Sequence, residues 1–204
     1  MLKITIELTG RAPFISHNGR LANPLDAATQ AVAQVSRKRQ KTPEDYRQLL
    51  PLEAYGGCYE TKEGLLGLPT ENVHSCLVEA ARGFKQGTAL SSALLFEGDT
   101  VTPLLVDGAA VDAREYVYNH SDKSLFIRTV VIAGRRTLRG RTIVRNWSTT
   151  HSFTLLEDVV NPNDLEKIFV RAGRLIGLGD WRPRYGTFTT RVVNTETIDE
   201  EAAA

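Results

Sequence analysis

Alternating apolar and polar residues predict that the chain opens with a β-strand. Ile4, Ile6 and Leu8 are separated by single polar residues, the pattern of a strand with one buried face. Later apolar runs predict a small hairpin over 58–66, strands at 93–97, 101–106, 125–133 and 187–193, and one long strand over 142–156 that bends near Thr149. The chain is therefore expected to contain many short strands.

Apolar residues at spacings of three and four predict two core helices, at 71–84 and 161–176. Two further helix starts, at Asn23 and Thr42, combine an N-cap side chain, a proline in the first turn and acidic residues that complement the helix dipole. Both lie within 21–57, which we interpret as a helical insertion.

The predicted order, without insertions, is strand, helix, two or more strands, helix, strand. This order is typical of the ferredoxin-like arrangement, in which two helices cover one face of an antiparallel sheet, and RNA-recognition domains share it. We predict an α+β fold of ferredoxin-like, RRM-like βαββαβ type with helical and hairpin insertions, as a single domain over 1–194. Residues 195–204 are predicted to be an acidic, disordered tail.

The composition is that of one globular domain, with 204 residues of which 42% are hydrophobic. Cys58 and Cys76 stand in no metal-ligand spacing, and the glycines at 177–179 follow a helix, whereas P-loop and Rossmann glycines follow a strand. We therefore expect no metal and no cofactor. No apolar run approaches ~20 residues, so we expect a cytoplasmic protein that does not enter a membrane.

Charge is distributed unevenly along the chain. The formal net charge is +1, yet the segment 123–156 holds seven basic residues and no acidic one, while the remainder holds 18 basic and 24 acidic residues, a net charge of −6. Such clustering indicates a surface that faces a polyanion. The alternative is a solvated strand-loop-strand whose arginines pair with acids elsewhere. The basic residues are Lys123, Arg128, Arg135, Arg136, Arg139, Arg141 and Arg145.

Two parts of this segment are candidate nucleic-acid contacts. The stretch from Arg135 to Arg141, which includes Arg136 and Arg139, is predicted to be a basic turn that extends a binding groove. In a continuous strand, Arg141, Arg145 and Trp147 would share one face and offer a platform for a base. Trp147 as a core residue, with the arginines extending around it, is an equal alternative.

A second basic cluster, 37–41, ends the first predicted helix. Lys38 and Arg39 are candidate nucleic-acid contacts there. Cations in this position also complement the helix C-terminus, so a purely structural role is the alternative.

The segment 177–186 contains three glycines, two arginines and two aromatic residues. Gly177 and Gly179 would let the backbone approach a phosphate. Arg182 and Arg184 would supply forked donors to it. The alternative is a tight, well-packed turn.

Aromatic and acidic residues complete this loop. Trp181 and Tyr185 would stack on an unpaired base or brace the loop. Asp180 is expected to cap the turn or to pair with one of the arginines, because no second carboxylate supports a metal site.

Three segments, in the same order as in the family, resemble the RAMP proteins of CRISPR systems, and most of all the backbone subunits that polymerise along guide RNA. They are an opening strand that ends in a polar, glycine-containing loop (4–19), a segment similar to IPGSSLKGALR at the start of the first core helix (67–77), and a last helix that leads into GLGxxxxxxGxF (177–188). Together they frame nearly all of 1–194.

The chain also departs from this family. Thr70-Glu71-Asn72 replaces Gly-Ser-Ser, Tyr185-Gly186-Thr187-Phe188 replaces the usual Gly-Phe-Gly, and 204 residues are few for a CRISPR backbone subunit. The resemblance therefore favours a stand-alone or mobile-element relative, including a phage-encoded one. It further implies RNA contacts at His17, Asn18 and Arg20.

We hypothesise a non-catalytic protein that binds single-stranded RNA or DNA with little base preference and assembles as a homo-oligomer or filament, alone or with other subunits of a ribonucleoprotein. One alternative is a metal-independent endoribonuclease of RAMP type, with His17 as the catalytic candidate. Another is an inhibitor or scaffold that keeps the fold and has lost the ligand.

Overall fold

The computed structural model describes residues 1–96, 101–132 and 134–198, and it is a mixed α+β structure built on antiparallel sheets. The strands are β1 (Leu2–Gly10), β2 (Phe14–Ile15), β3 (Tyr59–Glu60), β4 (Leu66–Pro69), β5 (Leu94–Phe96), β6 (Val101–Pro103), β7 (Leu105–Val106), β8 (Leu125–Ile132), β9 (Arg135–Val144), β10 (Trp147–Leu155) and β11 (Phe188–Thr197). The helices are α1 (Ala27–Ser36), α2 (Pro43–Gly56), α3 (Thr70–Arg82), α4 (Gly87–Ala93), α5 (Ala113–Asn119), α6 (Ser121–Ser124) and α7 (Leu165–Arg171), which continues as a π-helix over Ala172–Ile176.

The main sheet has the strand order β11-β1-β10-β5, and every neighbouring pair is antiparallel. Alternation along β1 puts Ile4, Ile6 and Leu8 on one face, where they are buried in the core together with residues of α3 and α7. The other face of the sheet carries polar side chains such as Thr5, whose hydroxyl lies 2.9 Å from that of Ser152 on β10. The alternation predicted for the first strand is confirmed.

The helix start predicted at Thr42 is confirmed as the start of α2. Thr42 and Asp45 form a capping box, and Pro43 occupies the first turn. The first helix starts later than its proline suggested, because Asp26 and not Asn23 is the N-cap of α1. The two helices pack together and α2 lies against β9. At Gly140 a Cβ would come within 2.4 Å of the carbonyl oxygen of Leu50, so helix and strand touch through backbone.

The predicted long strand over 142–156 is wrong. The chain bends at Arg145 and Asn146, which separate β9 from β10, and the stretch from Arg135 to Arg141 is strand and not turn. The bend is held by a contact distant in sequence, since the side-chain amide of Asn146 donates to Asp107 Oδ1 at 2.8 Å and the Asp107 amide donates to the Asn146 carbonyl.

Both cysteines are buried. The thiol of Cys58 donates to Thr142 Oγ1 at 3.1 Å, and the Cys76 thiol donates to the carbonyl of Gly177 at 3.4 Å. Burial raises the pKa of each thiol to about 12. Neither cysteine therefore forms a reactive thiolate near neutral pH.

The last strand extends four residues beyond its predicted end at Val193, so Thr195 to Thr197 are strand and not tail. Residues 199–204 of the predicted tail lie outside the described residues. Within the described residues, no helix has the length and apolar character needed to cross a membrane.

Candidate nucleic-acid interface

The loop 177–186 folds tightly against β2. The Asp180 amide donates to the carbonyl of Ile15 at 2.9 Å, and the Gly186 amide donates to that of Pro13 at 2.8 Å. At Gly179, where φ is +79°, a Cβ would come within 2.4 Å of the Ile15 carbonyl oxygen. This glycine is therefore required by contact with the protein's own backbone.

The other two glycines close the loop upon itself. The Leu178 amide donates to the carbonyl of Gly186 at 2.9 Å, and a Cβ on Gly186 would overlap the Leu178 carbonyl. Gly177, at φ +74°, faces the carbonyls of Tyr185 and Gly186. We therefore assign Gly177 and Gly179 to the shape of the loop, and contact with a ligand falls to the side chains.

Three aromatic rings meet where this loop approaches β8. Phe126 lies 5.3 Å from Trp181 and 5.4 Å from Tyr185, measured between ring centroids, and both pairs are edge-to-face. The Trp181 and Tyr185 rings are 6.4 Å apart. Trp181 remains 42% exposed, so this aromatic cluster of Phe126, Trp181 and Tyr185 presents a ring to solvent.

Sequence reasoning missed Phe126. A signal was available, because alternation in a strand puts Phe126 and Arg128 on the same face, at the start of the acid-free segment. The guanidinium of Arg128 lies 4.7 Å from the centre of the Phe126 ring, a cation–π contact. In the β8–β9 register, Phe126 is opposite Arg141, Arg128 opposite Arg139, and Ile132 opposite Arg135. One face of the hairpin therefore carries the cluster and four arginines.

Arg182 and Arg184 lie between Trp181 and Tyr185 in the sequence. Both are exposed, and neither forms a hydrogen bond or ion pair with any residue in the described ranges. Asp180, which was expected to cap the turn or to pair with one of these arginines, accepts from the Trp181 amide within the turn and pairs with His17 and Arg141. The two loop arginines are therefore available to an external anion.

His17, Asp180 and Arg141 form a connected group beside the cluster. His17 Nδ1 and Arg141 Nε both donate to Asp180 Oδ2, each at 3.2 Å, and the Trp181 amide donates to Asp180 Oδ1. Burial acts to raise the pKa of Asp180, but the donors from Arg141 and His17 outweigh it, and the net pKa is lowered. The His17 side chain is 47% exposed, so its free nitrogen can reach solvent.

Asn18 and Arg20 are engaged within the protein. Asn18 accepts from the Arg20 amide and donates to the Cys58 carbonyl, both at 3.0 Å. The Arg20 guanidinium donates to the carbonyls of Gly56 and Tyr55 and to Glu60 Oε2, at 2.8 to 2.9 Å. With its donors directed at three internal acceptors, Arg20 serves the fold.

Several other predicted contacts are also internally paired. Arg139 donates to Glu53, whose carboxylate is buried and also accepts the Gly140 amide at 3.0 Å. Arg145 donates to the carbonyl of Lys123, and Lys38 pairs with Asp45 at 2.5 Å. Within the acid-free segment, Glu53 thus neutralises Arg139 and Asp180 neutralises Arg141. Pairing with acids elsewhere was the alternative interpretation of the charge of this segment.

Trp147 is a core residue, and its prediction as a base platform is wrong. It is 3% exposed, its indole nitrogen donates to the carbonyl of Ala12 at 2.9 Å, and its ring lies between Phe14 and Phe188. The bend at Arg145 and Asn146 ends the strand that would have put it on the arginine face.

Arg39, Arg135 and Arg136 are exposed. Arg135 shares the face of Phe126, whereas Arg136, opposite Val131, lies on the other face of the hairpin. Arg39 follows α1, and its neighbour Lys38 is held by Asp45 at the start of α2. The contacts of Phe126, Trp181, Asp180 and His17 thus join the loop, the β8–β9 hairpin and His17 into one surface.

Metal ligands are not assembled at this surface: the described residues contain no group of three or more His, Cys, Asp or Glu side chains that could hold an ion. The chain matches no protein-family model and no curated protein.

Proposed function

We propose that this protein binds single-stranded nucleic acid, RNA or DNA, with little base preference and without catalysis. The observation that carries the proposal is the exposed aromatic cluster beside Arg182, Arg184 and Arg128. A flat ring next to unpaired guanidinium groups can stack on a base while the arginines neutralise adjoining phosphates.

The wider arrangement supports the same proposal. We infer a ferredoxin-like βαββαβ core, because β1, α3, β5, β10, α7 and β11 follow one another and give the antiparallel order β11-β1-β10-β5. The hairpin and the α1–α2 pair would be insertions into it. This order and the loop after the last helix are the basis for proposing a relative of the RAMP backbone subunits, with homo-oligomers or filaments along the strand.

The number of available arginines sets the expected salt dependence. Arg128, Arg135, Arg182 and Arg184 are exposed and make no ion pair within the described part of the chain. Four phosphate contacts on a single strand give a slope of about −3 in a plot of log binding constant against log salt. Stacking on Trp181 adds about 1 to 3 kcal/mol per base.

Fluorescence anisotropy with labelled single-stranded RNA and DNA of about 20 nucleotides, at ~50 mM salt, tests the proposal. The informative variant is Arg182→Glu with Arg184→Glu, which should weaken binding more than tenfold and flatten the salt slope by about 1.4. The matched control is Arg37→Glu with Arg39→Glu, an equal change of charge on exposed residues that belong to neither the loop nor the hairpin. No binding of the unmodified protein to any oligonucleotide, or equal losses in the two variants, contradicts the proposal.

A second candidate function is RNA cleavage, and the contact between His17 and Asp180 favours it. A carboxylate that accepts from Nδ1 fixes the tautomer and leaves the other ring nitrogen to take a proton from a ribose 2′-hydroxyl. Radiolabelled RNA would then yield 2′,3′-cyclic phosphate ends that disappear with His17→Ala. Intact RNA after prolonged incubation excludes this function.

A further inference from the structure

A long cleft separates α7 from β11, the strand at the edge of the main sheet. Its volume is about 450 Å³, and Phe169, Val170, Phe188 and Val192 give it apolar walls. It extends along β11 as far as Thr195, about 23 Å at 3.3 Å per residue. This length suits an extended chain better than a compact ligand.

The strand beside the cleft has one unpaired edge. β11 pairs with β1, and its other edge pairs with no strand among the described residues. Its ladder is regular from Phe188 to Val192 and is interrupted by a bulge at Val193. Free backbone donors and acceptors beside an apolar cleft are what a peptide needs to add as a further strand.

Opposite charges mark the two ends of the cleft. Arg11 and Arg174 lie at the end of the cleft near Phe188, because Gly173, the neighbour of Arg174, contacts Phe188. Glu166 is eight residues before Arg174 on the same helix and lines the cleft toward its other end. None of Arg11, Arg174 and Glu166 forms an ion pair within the described ranges. At 1.5 Å per residue, Glu166 and Arg174 are about 12 Å apart.

We propose that this cleft binds an extended peptide segment of a partner protein, added antiparallel to β11. Every pair in the main sheet is antiparallel, which sets the direction. The bound segment presents a basic residue to Glu166 and, four positions later, an acidic residue to Arg11 and Arg174, with an apolar residue between them facing the cleft. Four strand residues span about 13 Å and point to the same side, which matches the spacing of the charges.

Two labelled peptides of identical composition test the proposal. The first is acetyl-Thr-Lys-Thr-Val-Thr-Glu-Thr-amide, and the control exchanges the lysine and the glutamate. By fluorescence anisotropy, the first should bind at least about tenfold more tightly, the effect of one charge-assisted hydrogen bond. Equal affinity of the two peptides, or binding of neither at millimolar concentration, overturns the proposal.

Variants of the whole protein locate the bound peptide. Arg11→Ala with Arg174→Ala should weaken the first peptide by about tenfold or more, and both residues are exposed, so the fold is retained. Arg182→Glu with Arg184→Glu should leave peptide binding unchanged, which separates this site from the nucleic-acid surface. In hydrogen exchange, amides of 188–192 should be protected by the first peptide, and protection confined to other segments contradicts strand addition.

Discussion

The open face of the main sheet and the hairpin–loop surface both reach solvent, but they differ in chemistry. On β1 and β10 the open face carries Lys3 and Glu7 beside the hydroxyl side chains of Thr5, Ser148, Thr150 and Ser152, and these two strands put no aromatic ring on it. The hairpin–loop surface carries aromatic rings and unpaired arginines. RNA-recognition domains stack bases on aromatic residues of the sheet itself. Under the proposed function, fold analogy alone would direct a search for the ligand to the sheet, whereas the aromatic rings and unpaired arginines lie on the hairpin–loop surface.

The largest expected effect comes from the loop that supports the aromatic cluster. Gly186→Ala puts a Cβ into the Leu178 carbonyl at a positive φ, so steric overlap and backbone strain add, and we expect a loss of more than about 3 kcal/mol in the free energy of unfolding. Gly108→Ala, at φ +84° in open space, should cost only about 1 kcal/mol. Urea denaturation measures both, and equal losses would mean that the loop can relax around the added methyl group.

The second-largest effect should be a loss of folding stability in acid, caused by His151 in the sheet core. His151, on β10 opposite Ile6, is buried among Thr70, Thr102 and Thr149, and burial lowers its pKa to about 4. Because the unfolded chain binds the proton more tightly, stability should be complete above pH ~6.5 and fall by about 3 kcal/mol toward pH ~4. Urea denaturation across this range, with His151→Gln as the reference that lacks the titration, measures the effect. Parallel pH profiles for the two proteins would assign the loss to other groups.

Trp181→Ala tests which of the two faces binds nucleic acid. We expect a loss of about 1 to 3 kcal/mol in oligonucleotide affinity, because a stacking surface is removed, and Trp181→Phe should restore most of it. Thr150→Ala, on the open sheet face, should change affinity by less than twofold. If Thr150→Ala weakened binding more than Trp181→Ala in anisotropy titrations, the binding site would lie on the sheet.

The smallest effect concerns Asp180. Its lowered pKa means that Asp180→Asn should reduce stability at pH 7, where the carboxylate accepts from Arg141 and His17. This contribution is present above the ordinary aspartate value of 3.8 and disappears as pH falls through the lower pKa of the folded state. Denaturation at pH 7 and pH 3 checks the sign, which would be wrong if the asparagine variant were the more stable at pH 7.

Local signals were sufficient for part of the architecture. The alternation in β1, the capping box of α2 and the apolar spacing in α3 predict these elements because each depends on residues close in sequence. The bend at Asn146 was missed since its partner, Asp107, is 39 residues away and the flanking residues all favour strand. Pairing of this kind cannot be obtained from periodicity.

The candidate site was predicted in the same uneven way. The position of the loop, its exposed arginines and its aromatic residues follow from composition, whereas the role of Gly179 depends on β2, which precedes it by more than 160 residues. Arg20 and Arg139 looked equivalent to Arg182 in sequence. They differ only because Glu60 and Glu53 lie beside them in space.

The two buried thiols have a practical consequence. Because Cys58 and Cys76 are buried and remain protonated near neutral pH, maleimide dyes should not label them in the folded protein. A single exposed cysteine introduced by Arg136→Cys, on the far face of the hairpin, would then carry one fluorophore without replacement of either native cysteine. The protein is in this respect already prepared for single-molecule fluorescence.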